Sequence, residues 1–249
     1  MRYGVSPTSI TPMRSECSDA SEMVSQLLYG ETFKIIDTRK NWFLIRLHHD
    51  LYEGWVDKKM VLEIDEKDFQ NLNNSSISYS EDILTPVAHS NESLSHISYG
   101  SRISSAVFLG DTFIHKSRNQ SAFAKAGIVK DALCLLNAPY LWGGRTPFGI
   151  DCSGFTQLIY RMNGKEIKRD ASQQAEAGDS LSFVEEAEEG DLAFFDNAEG
   201  IITHVGIIMA NNYIIHAHGK VRVDRIDQTG IYNEQLNYHS HKLRVIKSL

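Results

Sequence analysis

The alternation of apolar and polar positions divides the chain into three pieces. In residues 1–62 two β-rich runs, Thr32-Phe33-Lys34-Ile35-Ile36 and Trp42-Phe43-Leu44-Ile45-Arg46-Leu47, flank the polar stretch Asp37-Thr38-Arg39-Lys40-Asn41. A further turn at His49-Asp50 leads into Tyr52-Glu53-Gly54-Trp55-Val56. This spacing predicts a small β-barrel with Trp42 and Trp55 in its core. Residues 63–75 carry no apolar period and read as a linker. Short strands with Ser/Asn/Gly turns return over 77–118, where Tyr99-Gly100-Ser101 echoes Tyr29-Gly30-Glu31. Residues 63–118 are therefore expected to be a linker followed by a degenerate second barrel.

Residues 119–249 follow a different pattern. Ala122–Leu136 reads as a largely buried helix that includes Cys134 and stops before Pro139. After Trp142–Gly149, Phe155, Leu158, Ile159 and Met162 fall at i, i+3, i+4 and i+7, one face of a second helix. Strands and turns fill the remainder, so the third piece is α+β, helices first.

Charge narrows the class of function. The 249 residues carry 25 basic and 32 acidic side chains, a net charge of −7. Such a surface is unsuited to nucleic acid or anionic membranes, which need clustered Lys and Arg. No apolar run approaches the roughly 20 residues of a membrane helix. The start, Met1-Arg2-Tyr3-Gly4-Val5-Ser6-Pro7, lacks the apolar core of a secretory signal. Cys17, Cys134 and Cys152 are too few and too scattered for a disulfide framework. These features predict a cytoplasmic protein; a monomer with no cofactor and no resident metal is expected beside them, although sequence does not decide the oligomeric state.

Candidate chemistry sits where the second helix begins. In Ile150-Asp151-Cys152-Ser153-Gly154-Phe155, Asp151 is a suitable N-cap and places Cys152 in the first turn. Unpaired N–H groups and the helix dipole favour a thiolate there, which predicts a depressed thiol pKa. A base is available from two β-runs, Ile202–Met209 and Tyr213–His218, joined at Ala210-Asn211-Asn212. A two-residue turn would send His204 and His216 to opposite faces. A three-residue loop sets residue 206 opposite 216 and brings the two histidines diagonally onto one face. The second register is expected, with Asn212 left-handed, His204 as base and His216 orienting it.

Asp151-Cys152-Ser153-Gly154-Phe155, His204-Val205-Gly206-Ile207 and Ile215-His216-Ala217 resemble the signatures of the NlpC-type cell-wall cysteine peptidases. Pro139–Gly144 and Arg169–Gln174 fit the same pattern. Leu27-Leu28-Tyr29-Gly30-Glu31 and Tyr52-Glu53-Gly54-Trp55 resemble the bacterial SH3-type barrels of one branch, the γ-D-glutamyl-L-diamino acid endopeptidases. The resemblance implies a papain-like catalytic domain over 119–249, preceded by one or two SH3-like barrels. It also implies cleavage of short murein peptides with a free N-terminal L-alanine, in cell-wall peptide recycling. Cys152, His204 and His216 would be catalytic, with Tyr140 donating to the oxyanion. Asp151 would meet the substrate amine, with Tyr52 and more weakly Glu31 contributing from the barrel. Ser153 and Ser172 would hold the D-glutamyl carboxylate, and Trp142 would line the cleft.

Two other readings fit the residues. His216-x-His218 on one strand, completed by His204 or Cys152, has the spacing of a zinc hydrolase site. Alternatively the chain binds wall peptides without cleaving them.

Overall fold

The computed structural model describes residues 1–113 and 117–249. The chain folds into two compact units. The first holds Met1–Ser121 with Trp142–Pro147, and the second holds Ala122–Leu141 with Phe148–Leu249.

The first unit begins with strands β1 (Arg2–Val5), β2 (Ile10–Arg14), β3 (Met23–Leu28), β4 (Thr32–Arg39), β5 (Trp42–Leu47), β6 (Glu53–Asp57) and β7 (Leu62–Ile64). They form one antiparallel sheet in the order β3-β2-β6-β5-β4-β1-β7, an SH3-like barrel. Met13, Leu27, Phe33, Phe43, Ile45, Leu47 and Val56 fill its core, and Tyr52 packs against them. The stretch expected to be a linker instead forms β7 and helix α1 (Glu66–Asn74). Asp65 caps that helix by accepting from the Asp68 amide at 2.8 Å. One apolar anchor suffices, since Phe69 stacks on Tyr3 at 4.4 Å, and one anchor makes no periodic signal.

Strands β8 (Ser78–Ser80), β9 (Leu84–Ala88) and β10 (Leu94–Ser98) follow, then α2 (Ala106–Leu109), β11 (Thr112–Phe113) and β12 (Ser117–Asn119). They make a three-stranded sheet, β10-β9-β11, and a pair, β12-β8. The Tyr-Gly echo corresponds to shared backbone geometry. The Gly30 and Gly100 amides reach the Ser6 and Ser80 carbonyls at 2.8 and 2.9 Å, and both glycines are left-handed. The Glu31 carbonyl accepts from Ser6, and the Ser101 carbonyl accepts from Ser80. Serine stands in the second copy where the first has a carboxylate.

Trp142–Pro147, which contains the short strand β13 (Arg145–Thr146), belongs with this first unit rather than with the whole of 119–249. Arg145 explains why. Its guanidinium is 1% exposed, pairs with Glu31 at 2.9 Å, and bonds the Gln26 carbonyl at 2.6 Å.

The second unit holds α3 (Ile128–Leu133), β14 (Gly149–Ile150), α4 (Cys152–Met162), α5 (Ala171–Gln174), β15 (Asp179–Leu181) and β16 (Leu192–Asp196). It continues with β17 (Ile202–Met209), β18 (Tyr213–His218), β19 (Lys220–Ile226), β20 (Gly230–Asn233) and β21 (Tyr238–Ser248). Strands β16 to β20 are ordered consecutively, and β21 pairs with β20 through its first half and with β16 and β15 through its second. Helix α4 packs across β17 and β18, giving the papain-like α+β arrangement. The first helix is shorter than expected. Ile128, Asp131, Ala132 and Leu135 form its buried stripe at i, i+3, i+4 and i+7. Cys134 lies off that stripe and is exposed, contrary to the expected burial.

Candidate active site

Asp151 caps α4 by accepting from the Gly154 amide at 2.7 Å, so Cys152 occupies the first turn. The cysteine is 6% exposed. Its sulfur lies 4.0 Å from the Thr203 carbonyl, so it sits against the main chain beside His204.

The β17–β18 connection has the three-residue form. Met209 faces Tyr213 across Ala210–Asn212, and Asn211 and Asn212 are both left-handed, at φ 58° and 59°. Gly206 consequently faces His216, and His204 shares the face of His216. Their rings join through His204 Nε2 and His216 Nδ1 at 2.8 Å. Gly206 has a steric role here. A Cβ at that position would lie 2.9 Å from the His216 Cβ and 2.7 Å from Ile214 Cδ1.

The arrangement continues past the expected residues. His216 Nε2 meets Asp224 Oδ2 at 2.9 Å, and Arg222 donates to both oxygens of that carboxylate, Nε at 2.6 Å and Nη2 at 2.7 Å. His241, from β21, stacks on His204 with centroids 4.2 Å apart, and His218 meets His241 edge-on at 4.7 Å. Sequence reasoning missed both Asp224 and His241. A signal for Asp224 exists in His218-Gly219-Lys220: a tight turn there, with left-handed Gly219, puts residue 222 opposite 216 and residue 224 diagonal to it. His241 comes from a remote strand and has no local signal.

The expected thiolate is not the resting state. Burial and the Asp151 charge push the Cys152 thiol up to about 12, against the amides of Val205 and Ser153 and the Arg169 charge, which pull it down. Desolvation, with three neighbouring histidines, holds His204 well below the usual histidine range. His216 is lowered by burial, against the pull of Asp224. Both shifts favour the uncharged forms, thiol and imidazole.

Tyr140 is half-buried, and desolvation together with the Cys152 and Asp151 charges raises its hydroxyl to about 12. It stays a protonated donor near the sulfur. Asp151 has a partner that sequence reasoning assigned no role. Arg169 reaches its two oxygens at 3.0 and 2.6 Å, and gives Ser153 Oγ a bond at 2.9 Å. The carboxylate expected to await a substrate amine is thus already paired with a buried guanidinium. Ser172 is exposed on α5, which Gln174 ties to α4 through Thr156 at 2.7 Å.

Three expected substrate contacts lie in the first unit. The Glu31 carboxylate is 3% exposed and committed to Arg145 and the Leu28 amide, so it is not a substrate ligand awaiting charge. Tyr52 packs on the barrel core. Trp142 is 60% exposed with its Nε1 on Glu22, within the first unit, rather than buried along a cleft.

The donor set does not fit zinc. His216 commits both ring nitrogens and His204 commits Nε2. Among the described residues, no three His, Cys, Asp or Glu side chains converge with metal-ligand spacing.

The fold is that of a papain-like cysteine peptidase domain, with Cys152 against the main chain beside His204 and the His204 ring tied to His216. Residues 137–240 match the NlpC/P60 family, and residues 13–60 match the bacterial dipeptidyl-peptidase SH3 domain. It is a peptidase of this cell-wall class. A γ-D-glutamyl-L-lysine dipeptidyl-peptidase of Bacillus cereus is 26% identical over 80% of this chain and 68% of its own length. A protein of the same name from Bacillus subtilis is 37% identical over 45% of this chain and 40% of its own. The crystal structure of an NlpC/P60 family protein from Bacillus cereus shares the fold, with a TM-score of 0.79 at 18% identity over 99% of both chains.

Proposed function

We propose that this chain hydrolyses the γ-D-glutamyl–diamino acid bond of short murein peptides with a free N-terminal L-alanine, in cell-wall peptide recycling. The observation that carries the reading is the sulfur at the start of α4, seated against the backbone of a histidine whose ring is tied to a second one. The names of the Bacillus relatives support the bond chosen.

Cys152 Sγ attacks the amide carbonyl carbon while its proton passes to His204. The carbonyl oxygen becomes an oxyanion, held by the Cys152 amide and the Tyr140 hydroxyl. The tetrahedral adduct collapses to a thioester, and the departing amine takes the proton from His204. Water, deprotonated by the same ring, then attacks the thioester, releasing the acyl group and restoring the thiol. His216 orients His204 throughout. Ser153 and Ser172 would hold the D-glutamyl carboxylate, and Arg169, which donates to Ser153 Oγ, would add positive charge nearby. The substrate ammonium would join Asp151 as a second cation beside Arg169.

Mass spectrometry of L-Ala-γ-D-Glu-L-Lys incubations should show release of L-Ala-D-Glu and free lysine. N-acetylation should suppress this, and equal cleavage of both peptides would remove the amine requirement. Full activity in Cys152→Ala would remove the mechanism.

A further inference from the structure

The hydrogen-bond line running back from the sulfur does not end at the second histidine. It ends at a carboxylate, and the chemistry of that terminus propagates forward. An ionised carboxylate can only accept a hydrogen bond, so the proton between His216 Nε2 and Asp224 Oδ2, 2.9 Å apart, belongs to His216. A neutral imidazole carries one N–H, so His216 Nδ1 is bare and must accept. The 2.8 Å contact it makes is therefore donated by His204 Nε2. His204 in turn has its lone pair on Nδ1, the ring nitrogen nearer the main chain, and the Cys152 sulfur lies along that main chain, 4.0 Å from the Thr203 carbonyl.

We infer that Asp224, held by Arg222, is the positioning residue that sets the tautomers of His216 and His204 together and so leaves His204 Nδ1 bare for the thiol proton. Its catalytic consequence rests on the peptidase reading above, whereas the tautomers do not.

The surroundings are consistent with this assignment. Burial opposes ionisation of Asp224, but the hydrogen bond from His216 and those from Arg222 to both carboxylate oxygens lower it to about 2. Across the ladder Arg222 is opposite His216, and the tight turn at Gly219 holds that register. The groups facing His204 are His216 and His218 from β18, His241 and, less closely, Phe195. None is an anion, so the carboxylate acts through His216. When the thiol proton reaches Nδ1, His204 becomes a cation. Its Nε2–H bond to the bare His216 Nδ1 then strengthens, and no proton needs to move onto Asp224.

Removing the charge should release this control. The amide of Asp224→Asn offers an oxygen or an NH2 to His216. The NH2 orientation would reverse both tautomers and place a proton on His204 Nδ1, capping the base.

The test uses the full chain labelled with 15N-histidine and long-range 1H–15N correlation of the ring nitrogens, assigned with His204→Gln and His216→Gln. Wild type should show both rings protonated at Nε2. Asp224→Asn should lose that uniform pattern, with kcat/KM on L-Ala-γ-D-Glu-L-Lys falling about 10²- to 10⁴-fold and KM nearly constant, as for other orienting carboxylates. A wild-type proton on His204 Nδ1 would overturn the inference even if the variant failed to fold. Unchanged tautomers in Asp224→Asn, with kcat/KM within about twofold of wild type, would overturn it as well. Unreduced cleavage by Cys152→Ala would defeat the peptidase reading and leave the ring spectra to stand or fall separately.

Discussion

Each unit contains a run of side chains from a hydroxyl or thiol through histidine to a carboxylate, with one histidine in the first unit and two in the second, yet the two sites have different chemistry available. In the first unit Ser95 Oγ meets His89 Nε2 at 2.8 Å, and His89 Nδ1 meets Asp111 at 2.7 Å. Tyr29 caps the other carboxylate oxygen at 2.6 Å. Taken as a relay this is at least as well connected as Cys152, His204, His216 and Asp224. What it lacks is a place for negative charge to develop. Ser95 sits within strand β10, opposite Val87, whereas Cys152 opens a helix where unpaired amides converge. A proton route makes a group basic or acidic, but donors aimed at the reacting oxygen make it catalytic. The first relay is best explained as the internal cement of a small domain whose apolar cluster is slight, comprising Tyr29, Val87, Ile97, Ile103 and Ala106.

This contrast can be broken or sharpened by experiment. Cys152→Ala should abolish peptide hydrolysis, while Ser95→Ala should leave kcat/KM within about twofold of wild type. A large rate loss in Ser95→Ala would erase the distinction. Gly206→Ala should cost roughly 10²-fold in kcat, because its methyl group must displace His216, and misplacement on the order of 1 Å has that consequence. Retention of the wild-type rate would show that the ring position tolerates the shift.

The pH dependence tests the neutral resting pair. With the thiol raised to about 12, the thiolate fraction at Cys152 should keep rising well past pH 9. Alkylation by iodoacetamide without substrate should therefore continue to accelerate there, roughly tenfold per unit, provided the fold persists. A plateau near neutral pH would reveal a thiolate–imidazolium pair instead. On the acidic side, burial and the neighbouring histidines hold His204 well below the usual histidine range, so kcat/KM should change little between pH 7 and 6. The smallest effect belongs to the first unit. Asp111→Asn should reduce urea stability by about 1–3 kcal/mol, since His89 and Tyr29 lose a charged acceptor, without altering peptide turnover.

Much of this could be read from local pattern. The barrel strands, the apolar face of the cysteine helix and the Asp151 cap all follow from neighbours within a few residues. The three-residue loop and the shared face of His204 and His216 follow from the period of a strand and the tolerance of asparagine for positive φ. Local pattern also misled. Helix α1 was hidden by polar composition because one aromatic contact anchors it, and Cys134 was counted as buried because apolar residues surround it in sequence rather than in space.

The helix-start position of Cys152, the face of His204 and the strand register are thus properties of short segments, where steric and hydrogen-bond preferences act over a few bonds. The charge state of the thiol, the pairing of Asp151 with Arg169, the commitment of Glu31 to Arg145 and the placement of His241 and Asp224 arise between segments far apart in the chain. Desolvation and ion pairing depend on what packs around a group, and no local pattern of residue types contains that information.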